Sequence, residues 1–119
     1  MDVINLENKF ATFSDYWNPK IIAELNGQHV KLAKFKGEFV RHSHEKEDEL
    51  FFVVKGRLLI RFCDKDTWIE EGEMIVIPAG TEHQPIAPEE VSVMLFEPQS
   101  TLNTGDASDP RTRHHLEKI

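Results

Sequence analysis

The chain has one cysteine, Cys63, among its 119 residues. No intrachain disulfide can staple it, so its stability has to come from a packed core, and a lone thiol suits a reducing compartment. Cys63 itself reads as a small, half-buried strand residue. Positive charge is also scarce. Lysine and arginine total 14 against 21 aspartates and glutamates, a net charge of -7, which repels phosphate backbones and provides no basic stripe for nucleic acid. Long apolar runs are missing too. The longest aliphatic and aromatic run, Leu50 to Val54, falls far short of the roughly 20 residues a membrane-spanning helix needs. The opening residues Met1 to Glu7 lack the basic stretch and apolar segment of a secretory signal. There is no internal repeat, low-complexity tract or Gly/Ser linker. These absences predict one soluble cytoplasmic domain with a single core and with neither a membrane nor a nucleic-acid partner.

Short apolar runs alternate with turn signals every eight to twelve residues, the pattern of an all-β sandwich or barrel. Lys20 to Leu25 and Gln28 to Lys36 flank Asn26-Gly27, a pair suited to the left-handed torsions of a tight hairpin. Further strands are predicted over Phe39 to His44, Leu50 to Val54, Leu58 to Phe62, Thr67 to Glu70, Met74 to Ile77, Glu82 to Ile86 and Val91 to Phe96. Leu50-Phe51-Phe52-Val53-Val54 does not alternate with polar residues, which predicts cover on both faces. A second sheet or a partner subunit would supply it, and a homodimer is expected. Residues 1–19 carry Phe10, Phe13, Tyr16 and Trp17, enough apolar surface for a short helix or an arm, and this arm is the element expected to cross between subunits. Residues 20–99 form the predicted barrel. Residues 100–119 read as a polar, partly ordered tail.

The chemistry concentrates in the histidines. His42 and His44 are one residue apart, so on an extended strand both point the same way, spaced to grip one small ion. Glu49 follows at the start of an apolar strand, which fixes its direction better than that of Glu45, Glu47 or Asp48 in the charged loop before it. His83 closes the run Pro78-Ala79-Gly80-Thr81-Glu82-His83. Three neutral imidazoles and one carboxylate are a donor set that first-row divalent metals prefer, with zinc, iron, manganese and nickel all suitable. A six-coordinate ion held this way keeps two positions for water or substrate, the hallmark of a binding or catalytic site. His29, His114 and His115 read as ordinary surface or hydrogen-bonded histidines. Glu38, sharing the parity of His42, is the one ionisable residue expected inside the barrel near the site, alongside Val40, Phe51 and Val53.

Gly37, His42-Ser43-His44, Glu49 and Gly56 resemble the first signature of the cupin superfamily, and Gly72, Pro78-Ala79-Gly80 and His83 resemble the second. Fifteen residues, 57–71, separate the two. Two departures are visible: four rather than five residues lie between Gly37 and His42, and Ala87 stands where the pattern has asparagine. The resemblance implies a double-stranded β-helix, a jelly-roll-like barrel with a short N-terminal arm, whose two histidines and glutamate, joined by the third histidine, bind metal. It further implies an isomerase-like or dioxygenase-like enzyme acting on a small oxygenated metabolite by metal chelation, with a non-catalytic module that binds or senses a small ligand as the alternative.

Overall fold

In the computed structural model, which describes residues 1–119, Asn26 and Gly27 take φ values of 50° and 77°. That left-handed pair turns strand β1 (Lys20–Leu25) back onto β2 (Gln28–Glu38), with Leu25 opposite Gln28. The remaining strands are β3 (Glu49–Lys55), β4 (Leu58–Phe62), β5 (Asp66–Ile69), β6 (Met74–Ile77) and β7 (His83–Pro98), and one five-residue helix, α1 (Leu6–Phe10), precedes them. All pairings between strands are antiparallel. The chain is an all-β, jelly-roll-like barrel, as its sequence pattern indicated.

The sheet runs β1-β2-β7-β3-β6, and β4 pairs with β5 and with β7. Strand β7 joins these parts. Its first residues pair with β4, Phe62 opposite His83 and Leu59 opposite Ile86, while Ser92 to Phe96 pair with β2 on one side and β3 on the other. The apolar runs predict two separate strands over residues 82–86 and 91–96. They form one 16-residue strand instead. A register shift in β2 between Phe35 and Gly37, opposite this stretch, absorbs the irregularity.

Alternation selects the core. On β3, Glu49, Phe51 and Val53 point inward and are buried, whereas Leu50, Phe52 and Val54 are half-buried on the outer face. The expected cover on both faces is therefore not supplied within one chain. With Ala33, Phe35, Leu58, Ile60, Ile69, Val91, Val93 and Leu95, Phe51 and Val53 build one continuous apolar cluster. Trp17 belongs to it. Its ring stacks on Phe35 at 4.2 Å and on Phe39 at 4.6 Å, its amide donates to Lys34 O and its indole to Lys36 O. These contacts hold a bulky residue at φ 57°, a conformation that ordinarily costs free energy. Within the single chain the aromatic arm docks on its own barrel. The C-terminal stretch also packs: along the free edge of β1 the Ile21 amide donates to Glu117 O and the Ile119 amide donates to Ile21 O, and Thr104 is fully buried.

Candidate metal centre

Residues 39–48 are not a regular strand. Only His42 makes a ladder contact, an isolated antiparallel bridge in which its amide donates to His83 O at 3.0 Å and the His83 amide donates to His42 O at 2.9 Å. The predicted strand over residues 39–44 is corrected accordingly: β2 ends at Glu38, just past Gly37 with φ 86°, and the chain crosses the barrel mouth as an irregular segment. His42 and His44 nevertheless reach the same place, with ring centroids 4.9 Å apart and planes at 90°.

Four side chains converge there. Ligand-capable atoms of His42, His44, Glu49 and His83 all lie within 4.8 Å of one another, and none of the four residues is more than 4% exposed. His42 Nδ1 lies 2.8 Å from Val40 O, and His83 Nδ1 lies 2.9 Å from Thr81 O. A carbonyl accepts only, so each Nδ1 carries the proton and each neutral ring keeps an Nε2 lone pair free. Glu49 Oε1 sits 3.4 Å from His44 Nε2 and 3.3 Å from His83 Nε2. These contacts lack hydrogen-bond geometry, leaving His44 Nε2, His83 Nε2 and Glu49 Oε1 buried without a partner. Buried polar atoms are rarely left so, and three of them facing one point match a cation's donor set. The residues fit a divalent metal.

The electrostatics agree. Burial, then the neighbouring His83, pushes the His42 pKa down to about 4, so the ring is a neutral donor at ordinary pH. Burial alone would raise Glu49, but the His44 and His83 rings facing it outweigh that and hold it well below the usual carboxylate range. Burial also opposes charge on His44, and contact with Glu49 overcomes it, raising its pKa.

Two charged residues were missed. Lys31 and Glu97, each 2% exposed, pair at 2.7 Å inside the barrel, and Glu97 Oε2 has no partner. Burial, then the nearby Glu49 carboxylate, pushes the Glu97 pKa well above its usual value. Parity counted outward from the hairpin would have found both, since Lys31 shares the face of Ala33 and Phe35, and Glu97 that of Val93 and Leu95. Glu38, by contrast, is exposed, because the register shift past Phe35 turns it out. Cys63 is exposed in the turn after β4. His29 lies 3.4 Å from Glu24, and His114 and His115 are exposed, all apart from the cluster. A cleft of about 30 Å³ opens beside His42 and Glu49, walled by Trp17, Phe35, Phe39, Phe51 and Leu95 with Glu97 and Asn103. It has room for about two waters.

Comparison with known proteins agrees with this geometry. The cupin domain family matches residues 28–97. The crystal structure of a cupin-2 domain containing protein from Shewanella frigidimarina superposes with a TM-score of 0.81 at 47% identity, covering 82% of this chain and 95% of that one. The uncharacterized protein YdbB of Bacillus subtilis is 41% identical over 80 residues, 66% of this chain and 65% of that protein. A 3-hydroxyanthranilate 3,4-dioxygenase 2 of Aspergillus fumigatus is 30% identical over 70% of this chain and 46% of its own length. An acireductone dioxygenase of Pseudomonas fluorescens is 31% identical over 64% and 44%. The chain spans less than half the length of the dioxygenases it matches.

Proposed function

Because the chain belongs to the cupin domain family, we propose that it holds one divalent transition metal through His42, His44, Glu49 and His83 and works as a dioxygenase-like enzyme on a small oxygenated molecule. The observation that carries this reading is the set of buried, unpartnered donors on His44, Glu49 and His83. A bound divalent ion of this kind would polarise substrate oxygens or bring substrate and dioxygen together. The protein's own part is positional: Val40 O and Thr81 O fix two rings by their Nδ1 protons, and Trp17, Phe39 and Phe51 keep the cleft apolar. The relatives named as dioxygenases favour oxygen chemistry over isomerisation. A substrate chelating by two adjacent oxygens, such as a hydroxy acid, keto acid or enediol, would suit two open positions on a six-coordinate ion.

Metal analysis of untagged protein tests the first half. About one iron, manganese, nickel or zinc per chain is expected, with His44→Ala losing most of it and His29→Ala little. Equal losses at both positions would refute the assignment. Dioxygen uptake by the iron-loaded protein with short hydroxy acids, keto acids and enediols tests the second. No uptake and no change in the metal's spectrum with any of them would remove the enzyme reading.

The homodimer belongs to the same proposal. Registers place Val76, Leu50 and Phe96 in one row across β6, β3 and β7, and Met74, Phe52 and Met94 in the next, with Met74 and Val76 exposed. An uncovered apolar face of this kind suits a second copy. Sedimentation at micromolar concentration showing only the 13.8 kDa monomer would rule it out.

A further inference from the structure

The cleft beside His42 and Glu49 has room for about two waters, so a larger ligand fits in that cleft only if a wall moves. Most of the wall is core: Phe35, Phe51 and Leu95 sit in the middle of β2, β3 and β7. Asn103 is different. It belongs to residues 100–113, which lie beyond the family match ending at residue 97 and form no strand.

This segment is tied to itself. Asn103 donates to Arg111 O at 3.0 Å and accepts from Arg113 N at 2.9 Å, and the Thr104 and Thr112 hydroxyls share a 2.6 Å bond. It would therefore move as one body. It is fastened over the mouth at few points. Arg111 donates to Glu38 O at 2.9 Å and lies 4.7 Å over the Phe39 ring. Ser100 Oγ donates to Glu47 Oε2 at 3.1 Å, and the third fastening is on the metal segment itself. Asp106 accepts from Ser43 N at 2.8 Å and from Ser43 Oγ at 3.2 Å, and its own amide donates to Ser43 O at 3.0 Å. Ser43 is the residue between His42 and His44. Gly105 makes this approach feasible: a Cβ there would clash with Ser43 O and stand 3.0 Å from His42 Cδ2, and its φ of 55° is one that glycine adopts freely.

We propose that residues 100–113 form a strap that swings away to admit metal and ligand, and that Gly105 and Asp106 are its latch on the histidine pair. Asp106 is a positioning residue, acting on His42 and His44 through Ser43. The proposal rests on the metal reading above for its role, but the opening can be measured without metal.

Two readouts on the full chain decide it. With cobalt-loaded protein and excess chelator, Asp106→Ala and Gly105→Ala are expected to release the metal at least tenfold faster than wild type. Asp106→Asn, which keeps one acceptor for Ser43 N, falls between, and Asp66→Ala, at a distant surface pair, matches wild type. With metal-free protein, diethylpyrocarbonate should modify His42 and His44 faster in the two latch variants, while their thermal midpoints stay within a few degrees of wild type. Release and modification rates within twofold of wild type would overturn the strap. So would acceleration by Asp66→Ala to the same degree. If Gly105→Ala does not fold, Asp106→Ala and Asp106→Asn alone give the answer. Absence of metal uptake by wild type would sink the metal reading, whereas unchanged histidine modification would sink the strap.

Discussion

The barrel interior holds two populations of buried side chains that obey opposite rules. Around Val53, Leu58, Ile60 and Ile69, every inward residue is apolar and at most 3% exposed, and burial of this kind stabilises the fold at roughly 25 cal/mol per Å². Around Glu49, the inward residues are His42, His44, His83, Lys31 and Glu97, equally buried but with at least four polar atoms left unpartnered. Such atoms each cost about 1–3 kcal/mol. The first group holds the chain together, and the second is carried by it. A site with this much unsatisfied polarity is stable only because the apolar group beside it is continuous.

The contrast can be broken by substitution. Ile60→Ala should show the largest effect, a loss of about 2–5 kcal/mol in denaturant unfolding of the metal-free protein, with the metal bound per folded chain unchanged. A stable variant with lost metal would erase the distinction between the two groups. Next, a divalent metal at a hundred times its dissociation constant should stabilise wild type by about 2.7 kcal/mol, seen as a rise in the unfolding midpoint. His83→Leu should abolish that rise. In metal-free protein the same variant should shift stability by less than about 1 kcal/mol, because losing the bond to Thr81 O offsets relief of the unpartnered Nε2. A loss as large as that of Ile60→Ala would place His83 in the structural group. Smallest of all, Arg57→Ala removes an exposed pair with Glu70 and a guanidinium 3.7 Å over Trp68, and should cost under about 1 kcal/mol by thermal unfolding.

The same two groups explain what could be read from sequence. The hairpin at Asn26-Gly27 and the uninterrupted apolar run from Leu50 to Val54 are local signals, and they located their strands to within a residue or two. The convergence of His42, His44, Glu49 and His83 was legible because the chemistry of the side chains demands a shared partner. Lys31 and Glu97 were passed over, since lysine and glutamate on a strand ordinarily face water, although parity along β2 and β7 turns both inward, where they pair at 2.7 Å. Glu38 was misplaced for a related reason: parity fails across a bulge. The N-terminal arm announced itself through its aromatic residues. The C-terminal strap did not, because it is held by polar bonds such as Asp106 to Ser43, which leave no hydrophobic period in the sequence.

Strand β7 has a consequence for how the chain acquires its shape. It is the last strand in sequence, yet it is the shared partner of β2, β3 and β4. On the ribosome, the earlier strands emerge without the element that joins them, and only the β1–β2 and β4–β5 hairpins and the β3–β6 pair can form. Closure waits for residues up to Pro98, and it proceeds through contacts far apart along the chain, which makes folding slow for a protein of this size. During that interval Phe51, Val53 and the outer residues Leu50 and Phe52 are all open to other nascent chains. Exposed apolar surface of this kind favours misassociation during synthesis.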